Sequence, residues 1–379
     1  MGPLAGFRII EMAGIGPAPF AAMLLADMGA EVIRVERASS DNNSPFEVTL
    51  RGRKSIALNL KSEVGVKLLL KLVATADGLI EGFRPGVMEK LGLSADICWQ
   101  HNPKLIYGRM TGWGQYGPMS QMAAHDINYI AITGALDSIG HKEAGPVVPL
   151  NLLGDFGGGA TYLVIGMLAA LLEAQKSGKG QVIDAAICDG VASLMTMMQG
   201  YRAMGMWDLQ RQNNLFDGGA HFYDTYECAD GKWVSVGAIE VHFYTQLVEK
   251  LGLLDEVGAI DYAAQFDKQK WQDLRPIFAA RIKEKTRDEW AAIFAGSDAC
   301  FAPVLDMDEA PNYAHNKVRE TFVTIDGVTQ SAPAPRFSRT PSEVQSPPVP
   351  AGSDNDTVFS ELGLNQQEIE ELRQAGVIC

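Results

Sequence analysis

From Phe7 to Met110 the sequence switches repeatedly between short β-branched runs and helical stretches that end at glycine or a polar break. That alternation restricts the chain to an α/β layer architecture. FRIIEM reads as a strand, Pro19 to Met28 as a helix stopped by Gly29, and AEVIRVER as a second strand. SIALNL, a helix from Ser62 to Ala74, GLIEGF and KLIYGRM continue the pattern, and an apolar helix at 161–175 leads into GQVIDAAI. Strands joined by helical crossovers lie parallel, so a Rossmann-like sheet is expected.

The pattern changes after residue 186. ASLMTMMQGYRAMGMW is Met-rich and helical, and RQNNLFDGGAHFYD is turn-rich; 187–225 is read as a helical linker. A smaller α+β domain is expected over 226–330, with strands YECAD and KWVSVGA around Asp230-Gly231 and helices at 241–251, 271–284 and 287–295. The proline-rich run SAPAPRFSRTPSEVQSPPVP is extended by composition, and a last helix at 365–374 should pack back on the first domain. The large domain is therefore read as 1–186 together with 331–379.

A net charge of -14 disfavours nucleic acid and anionic membrane surfaces, so a polyanionic ligand needs a local basic pocket. The five cysteines are widely spaced and form no C-x-x-C pair, which fits reduced thiols in a cytoplasm. The first residues lack the features of a signal peptide, the longest apolar stretch, Tyr162 to Leu172, is short for a membrane span, and AGVIC is not a peroxisomal address.

The turn Gly14-Ile15-Gly16-Pro17-Ala18-Pro19 sits between strand and helix, with Glu36 about 20 residues beyond Gly16, as a ribose-binding acid would be in a dinucleotide site. Pro19 stands in place of the third glycine, and Arg37 puts a positive charge beside the acid. A tight turn with positive φ is the plainer reading. A third keeps the helix N-terminus and changes the ligand: amides near Ile15 and Gly16 would face a developing oxyanion.

Basic residues concentrate early: Arg37, the cluster Arg51, Arg53 and Lys54, then Lys61 and Arg84. Each is an ordinary surface charge or a contact to a phosphate-rich ligand such as coenzyme A. Further along, His125 precedes a helix that Asp126 is placed to cap, and Asp155 stands ahead of Gly157, Gly158 and Gly159 at the start of the apolar helix. Either is commonly a cap. Together they are also the minimal kit for inverting an acidic C–H centre, one proton carrier on each face. Near a helix start the macrodipole favours a carboxylate while burial disfavours it, so Asp155 can both accept and hold a proton.

With these residues in hand, the chain resembles the α-methylacyl-CoA racemases of the class III CoA-transferase (CaiB/BaiF-like) superfamily, especially bacterial members. The resemblance rests on FRIIEMAGIGPAPFAAMLLADMGAEVIRVER, EGFRPGV, MTGWGQYGP, AHDINYI, NLLGDFGGGA, SGKGQVIDAAI, LFDGGAHFYDTYEC, GAIEVHFY, SDACFAPVL and PAPRFS, nearly the whole chain. It implies His125 and Asp155 as the acid/base pair, with Glu240 supporting His125 from the other subunit of an interlocked homodimer. It implies a CoA site at Arg37, Leu58, Asn59, Leu60, Lys61, Gly82, Phe83, Arg84, Ala124, Asp126 and Tyr129. Lys90 belongs to that set too, although an arginine is expected there, and lysine lacks bidentate phosphate geometry. No metal and no cofactor are implied beyond the CoA of the substrate. The superfamily also holds CoA-transferases in which an aspartate at the Asp155 position forms an acyl anhydride, which is the runner-up. A dehydrogenase and a non-catalytic acyl-CoA binding protein stand behind it. The methionines Met195, Met197, Met198, Met204 and Met206 are read as an acyl groove, core packing or a dimer contact.

Overall fold

The protein is described by a computed structural model over residues 2–39 and 44–378. The chain forms two compact units. The first is Met1–Thr133, Pro149–Leu194 and Glu320–Cys379; the second is Gly134–Val148 and Met195–Arg319.

The first unit is built on six parallel strands: β1 (Arg8–Met12), β2 (Glu31–Arg37), β3 (Arg53–Leu58), β4 (Gly78–Glu81), β5 (Ile106–Thr111) and β6 (Val182–Ala186). Their order is β3-β2-β1-β4-β5-β6, the doubly wound arrangement that the strand–helix alternation predicts. Helix α1 (Pro17–Asp27) starts two residues earlier than expected, because Pro17 supplies the fixed φ suited to a first helical position. Helix α2 (Glu63–Val73) is capped by Ser62, whose side chain accepts the Val64 N–H. Ile10, Ile33, Ile56, Leu79 and Tyr107 of the strands form a core with Leu69, Leu72 and Val73 of α2. Phe359 and Ile369 from two C-terminal helices, Asn355–Glu361 and Gln366–Gln374, join the same core.

The apolar helix is longer than the sequence suggests. Leu152–Ala160 is π-helical and continues into the α-helix Thr161–Ser177, giving the one helix among the described residues long and apolar enough to cross a membrane. Length and composition alone do not make it a span: Leu163 and Met167 are buried, packed where Gly108 leaves room on the sheet.

The second unit carries a three-stranded antiparallel sheet in which Trp233–Gly237 lies between Tyr223–Glu227 and Phe301–Pro303. The turn at Asp230-Gly231 has Gly231 at φ +77°. Helices Val241–Leu251, Lys268–Ile282 and Arg287–Phe294 bury Tyr244, Trp271, Phe278 and Trp290 beside that sheet. Met197, Met204 and Met206 are exposed, so core packing does not account for them.

Candidate active site

In a doubly wound sheet the strand order reverses between β1 and β4, and the loops leaving their carboxyl ends line the crevice where ligands bind. Here those loops are 13–16 and 82–86. They meet closely: a Cβ on Gly82 would lie 3.4 Å from the Ala18 side chain in the first turn of α1. Gly16 caps α1 with φ +72°, which glycine adopts without strain. Pro17 and Pro19 carry no N–H, so Gly16 and Ala18 supply the free amides of this end.

A buried ionic network holds the first loop. Arg34 pairs with Glu11, donates to Glu36 Oε1 at 2.7 Å and reaches the Gly14 carbonyl at 3.2 Å. Arg53 pairs with Glu11 at 3.0 Å and also donates to the Pro19 carbonyl. Arg51 grips Asp27 through two bonds, the shorter 2.6 Å, and bonds Gln330 and Ser331. Arg51 and Arg53 are thus spent in the interior, and Lys54 pairs with Glu31 and Glu361. This corrects their reading as phosphate contacts, because a buried guanidinium stays where its carboxylate is. Glu36 is committed to Arg34 in the same way, which removes the ribose-binding acid from the dinucleotide reading.

Asp155 is the fourth residue of the π-helix, not a cap ahead of a helix; Asn151 holds the cap position. A π-helical turn widens the backbone locally and recurs at functional sites. Two of the three glycines that follow Asp155 are sites of close packing. Cβ atoms on Gly158 or Gly159 would press on Val191 and Ile187, and one on Gly190 would collide with the Gly158 carbonyl. They let the helix Ile187–Leu194 lie directly against the π-helix, so they serve packing rather than ligand access. The amides from Gly157 onward point back along the helix to carbonyls five residues earlier and are not free to face an oxyanion.

The Asp155 carboxylate faces the loop after β1, with Oδ2 3.5 Å from the Cβ position of Gly16. Phe156 packs tilted against Phe20 of α1, ring centroids 4.5 Å apart, and fixes that approach. Burial raises the proton affinity of Asp155 and the Asp126 charge raises it further, opposed by the 3.5 Å contact from Asn151 and the charge of His125.

His125 and not Asp126 occupies the cap of the helix Asp126–Ala131, where its N–H is accepted by Asn128 Oδ1 at 3.1 Å. The imidazole is exposed. Asp126 turns inward and accepts the Asp155 N–H at 2.6 Å. Tyr129 lies over Gly112, where a Cβ would meet its ring at 1.9 Å, packs edge-on to Trp113 and donates to the Ala124 carbonyl. Its hydroxyl is pushed up by burial, then by Asp155, against a lowering contribution from Arg84. Ile15, Gly16, Gly82, Phe83, Arg84, Ala124, His125, Asp126, Tyr129 and Asp155 are therefore brought into one region.

Other expected ligand residues stand farther along the same sheet edge. Arg37 and Leu58 are register partners at the ends of β2 and β3, followed by the turn Asn59-Leu60-Lys61. From β3 to β4 is three strand steps, about 14 Å, a span suited to an extended ligand. Leu58 is buried, while Arg37, Lys61, Arg84 and Lys90 are exposed, Lys90 in the short helix Val87–Lys90. Glu240 belongs to the second unit, as the exposed cap residue of Val241–Leu251. The sequence reading missed Asn151. It was legible as a helical i, i+4 partner of Asp155; the Cys188 thiol donates to Asp189 and makes no hydrogen bond to the site among the described residues.

The model of CoA-transferase family III matches residues 4–355. The chain is 43% identical over 378 residues to a mouse α-methylacyl-CoA racemase, covering 99% of this chain and 97% of the relative. It is 40% identical over 379 residues to the human α-methylacyl-CoA racemase, with 99% and 97% covered. Among solved structures, a CaiB/BaiF family protein from Brucella suis superposes with TM-score 0.80 at 25% identity, over 95% of this chain and 99% of that one. A family match over most of the chain, relatives alike from end to end, and a crevice at the expected sheet edge lead to one assignment: the chain belongs to CoA-transferase family III.

Proposed function

We propose that the protein is an α-methylacyl-CoA racemase, interconverting (R)- and (S)-2-methylacyl-CoA thioesters by proton transfer without a metal, flavin or pyridoxal cofactor. The observation that carries this reading is Asp155: a half-buried carboxyl with raised proton affinity, facing a free-amide turn and standing within the field of His125. One of the two removes the α-proton, electron density moves to the thioester oxygen, and the other returns a proton to the opposite face. The amide of Gly16, beside Ile15, is suited to the enolate-like oxygen. Arg37, Leu58 to Lys61, Gly82 to Arg84, Lys90, Ala124 and Tyr129 are proposed to hold the CoA moiety along the carboxyl edge of the sheet, whereas the Asp126 side chain turns away from that edge to the Asp155 amide.

The active form is proposed to be an interlocked homodimer in which Glu240 of one chain supports His125 of the other. Light scattering of a dimer that persists on dilution supports it; a monomer at working concentration overturns it.

The deciding experiment incubates one enantiomer of a 2-methylacyl-CoA in D₂O with no acceptor acid. Racemisation with α-deuterium incorporation is expected. An untouched α-proton, with CoA passing to an added carboxylic acid and an Asp155 adduct trapped by hydroxylamine, would instead identify a CoA-transferase.

A further inference from the structure

Asp126 is 6% exposed, and its two oxygens are treated differently. Oδ2 accepts the backbone N–H of Asp155 at 2.6 Å. Oδ1, equally buried, has no hydrogen-bond partner among the described residues. The carboxylate fills the space a side chain at Gly154 would need, since a Cβ there would lie 2.3 Å from Oδ2. A buried carboxyl with one idle oxygen is costly for a fold that wanted only an acceptor. An asparagine would supply that acceptor without the charge.

The position explains the cost. Asp126 follows His125 directly, so a bond from its side chain to the Asp155 amide ties one proton carrier to the other. We infer that Asp126 is a positioning residue for the proton transfer, clamping Asp155 at a fixed place relative to His125 and setting its strength as a base by the proximity of a second carboxylate. The inference rests on the racemase reading of the site. Its electrostatic side agrees with the raised proton affinity of Asp155, where Asp126 ranks next after burial.

The other charges around this carboxyl do not supply the same effect. His125 opposes it, Asn151 is neutral, and the neighbouring start of α1, with its cap Gly16 and Phe20, carries no charge. Tyr129 lies in the field of Asp155, and Arg84 and Cys188 face Tyr129 in turn.

Asp126→Asn keeps the shape and one acceptor and removes the charge. With wild-type enzyme shown to racemise, the variant should lose about tenfold in kcat with little change in KM, as for a weakened base. The limb of the kcat–pH profile assigned to Asp155 should move to lower pH, while circular dichroism and Tm stay at or above wild type. Unchanged kcat and an unmoved limb in the folded variant overturn the inference and leave the racemase reading intact. A wild type that fails to racemise removes that reading by itself, so a readout independent of turnover is included. The side-chain carboxyl of Asp155 is followed by ¹³C NMR in [¹³C]Asp-labelled protein and assigned by its loss in Asp155→Asn. Burial and a neighbouring carboxylate both disfavour the charged form of Asp155, so the wild-type resonance should titrate above the ordinary aspartate range. A single inflection in that ordinary range overturns the inference even if Asp126→Asn does not fold.

Discussion

The carboxylate of Asp155 lies against the backbone of Gly16, its Oδ2 3.5 Å from where a β-carbon would begin. The two come from distant segments and meet because the π-helix packs across the start of α1, with Phe156 on Phe20. A substrate carbon that delivers its proton to Asp155 is therefore expected beside Gly16, which has no side chain to stand in the way.

Gly16→Ala tests that relationship. The methyl would not collide with Asp155, but it would sit where the reacting carbon is expected, and φ +72° with ψ -123° is strained for alanine by about 1–3 kcal/mol. We expect a small loss of thermal stability and a loss of kcat/KM of at least tenfold. Wild-type turnover in a folded Gly16→Ala enzyme would place the reacting carbon elsewhere.

His125→Ala and Asp155→Ala should each abolish racemisation, since inversion needs a carrier on both faces, while slow one-sided α-proton exchange in D₂O survives. Asp155→Asn should be inactive and yet more stable. The folded-state proton affinity of Asp155 is raised, so the native state binds this proton more tightly than the unfolded chain, and its ionised form costs stability as pH rises. Removing the ionisable group should lift Tm by roughly 1–2 °C at neutral pH. A lower Tm would mean that the carboxylate supports the fold.

The sheet was legible in the sequence because each strand is a short apolar run bounded by a glycine or a cap, and such signals are local. The roles of Arg51 and Arg53 were not: a guanidinium reads the same whether it faces solvent or Glu11, and only the pairing of β1, β2 and β3 decides it. His125 and Asp155 stood out by residue type and company. That Asp126 binds the Asp155 amide was hidden, since the contact joins residues 29 apart and takes Asp126 out of its expected cap. The π-helix was hidden too, because consecutive glycines are poor helix formers and the apolar helix reads from residue 161 only.

Glu81 ends β4 just before the Gly82 to Arg84 stretch and accepts the Phe83 N–H at 2.7 Å. Burial pushes its carboxyl up to about 7, against that bond and the nearby Arg109. The native state then holds this proton across the interval from the ordinary glutamate value to about 7, where the unfolded chain has released it. Its contribution to stability falls as pH rises through that window and is flat above it. Urea titrations should show Glu81→Gln gaining on wild type across that interval, to a plateau on the order of 3 kcal/mol at most. A difference that does not vary with pH would show that Glu81 is ionised throughout.

The basic residues divide into two classes with opposite signatures. Arg51 and Arg53 are buried against Asp27 and Glu11: truncating Arg51 strands the Asp27 carboxylate at a cost of about 3–5 kcal/mol, and truncating Arg53 leaves Glu11 to Arg34 and strips the Pro19 carbonyl of its donor. We expect Arg51→Ala and Arg53→Ala to unfold at markedly lower urea, with the damage appearing as lost stability before any loss of affinity. Arg37 and Arg84 are exposed at the carboxyl ends of β2 and β4, where among the described residues no buried carboxylate is paired with either. Arg37→Ala and Arg84→Ala should keep the wild-type urea midpoint and weaken acyl-CoA binding by about tenfold each, and less at high salt because exposed charges are screened. Calorimetry with a non-reactive acyl-CoA separates the classes. If both exposed variants bind as tightly as wild type while folded, the phosphates of CoA are held elsewhere on the sheet edge, and Lys61 and Lys90 become the next residues to replace.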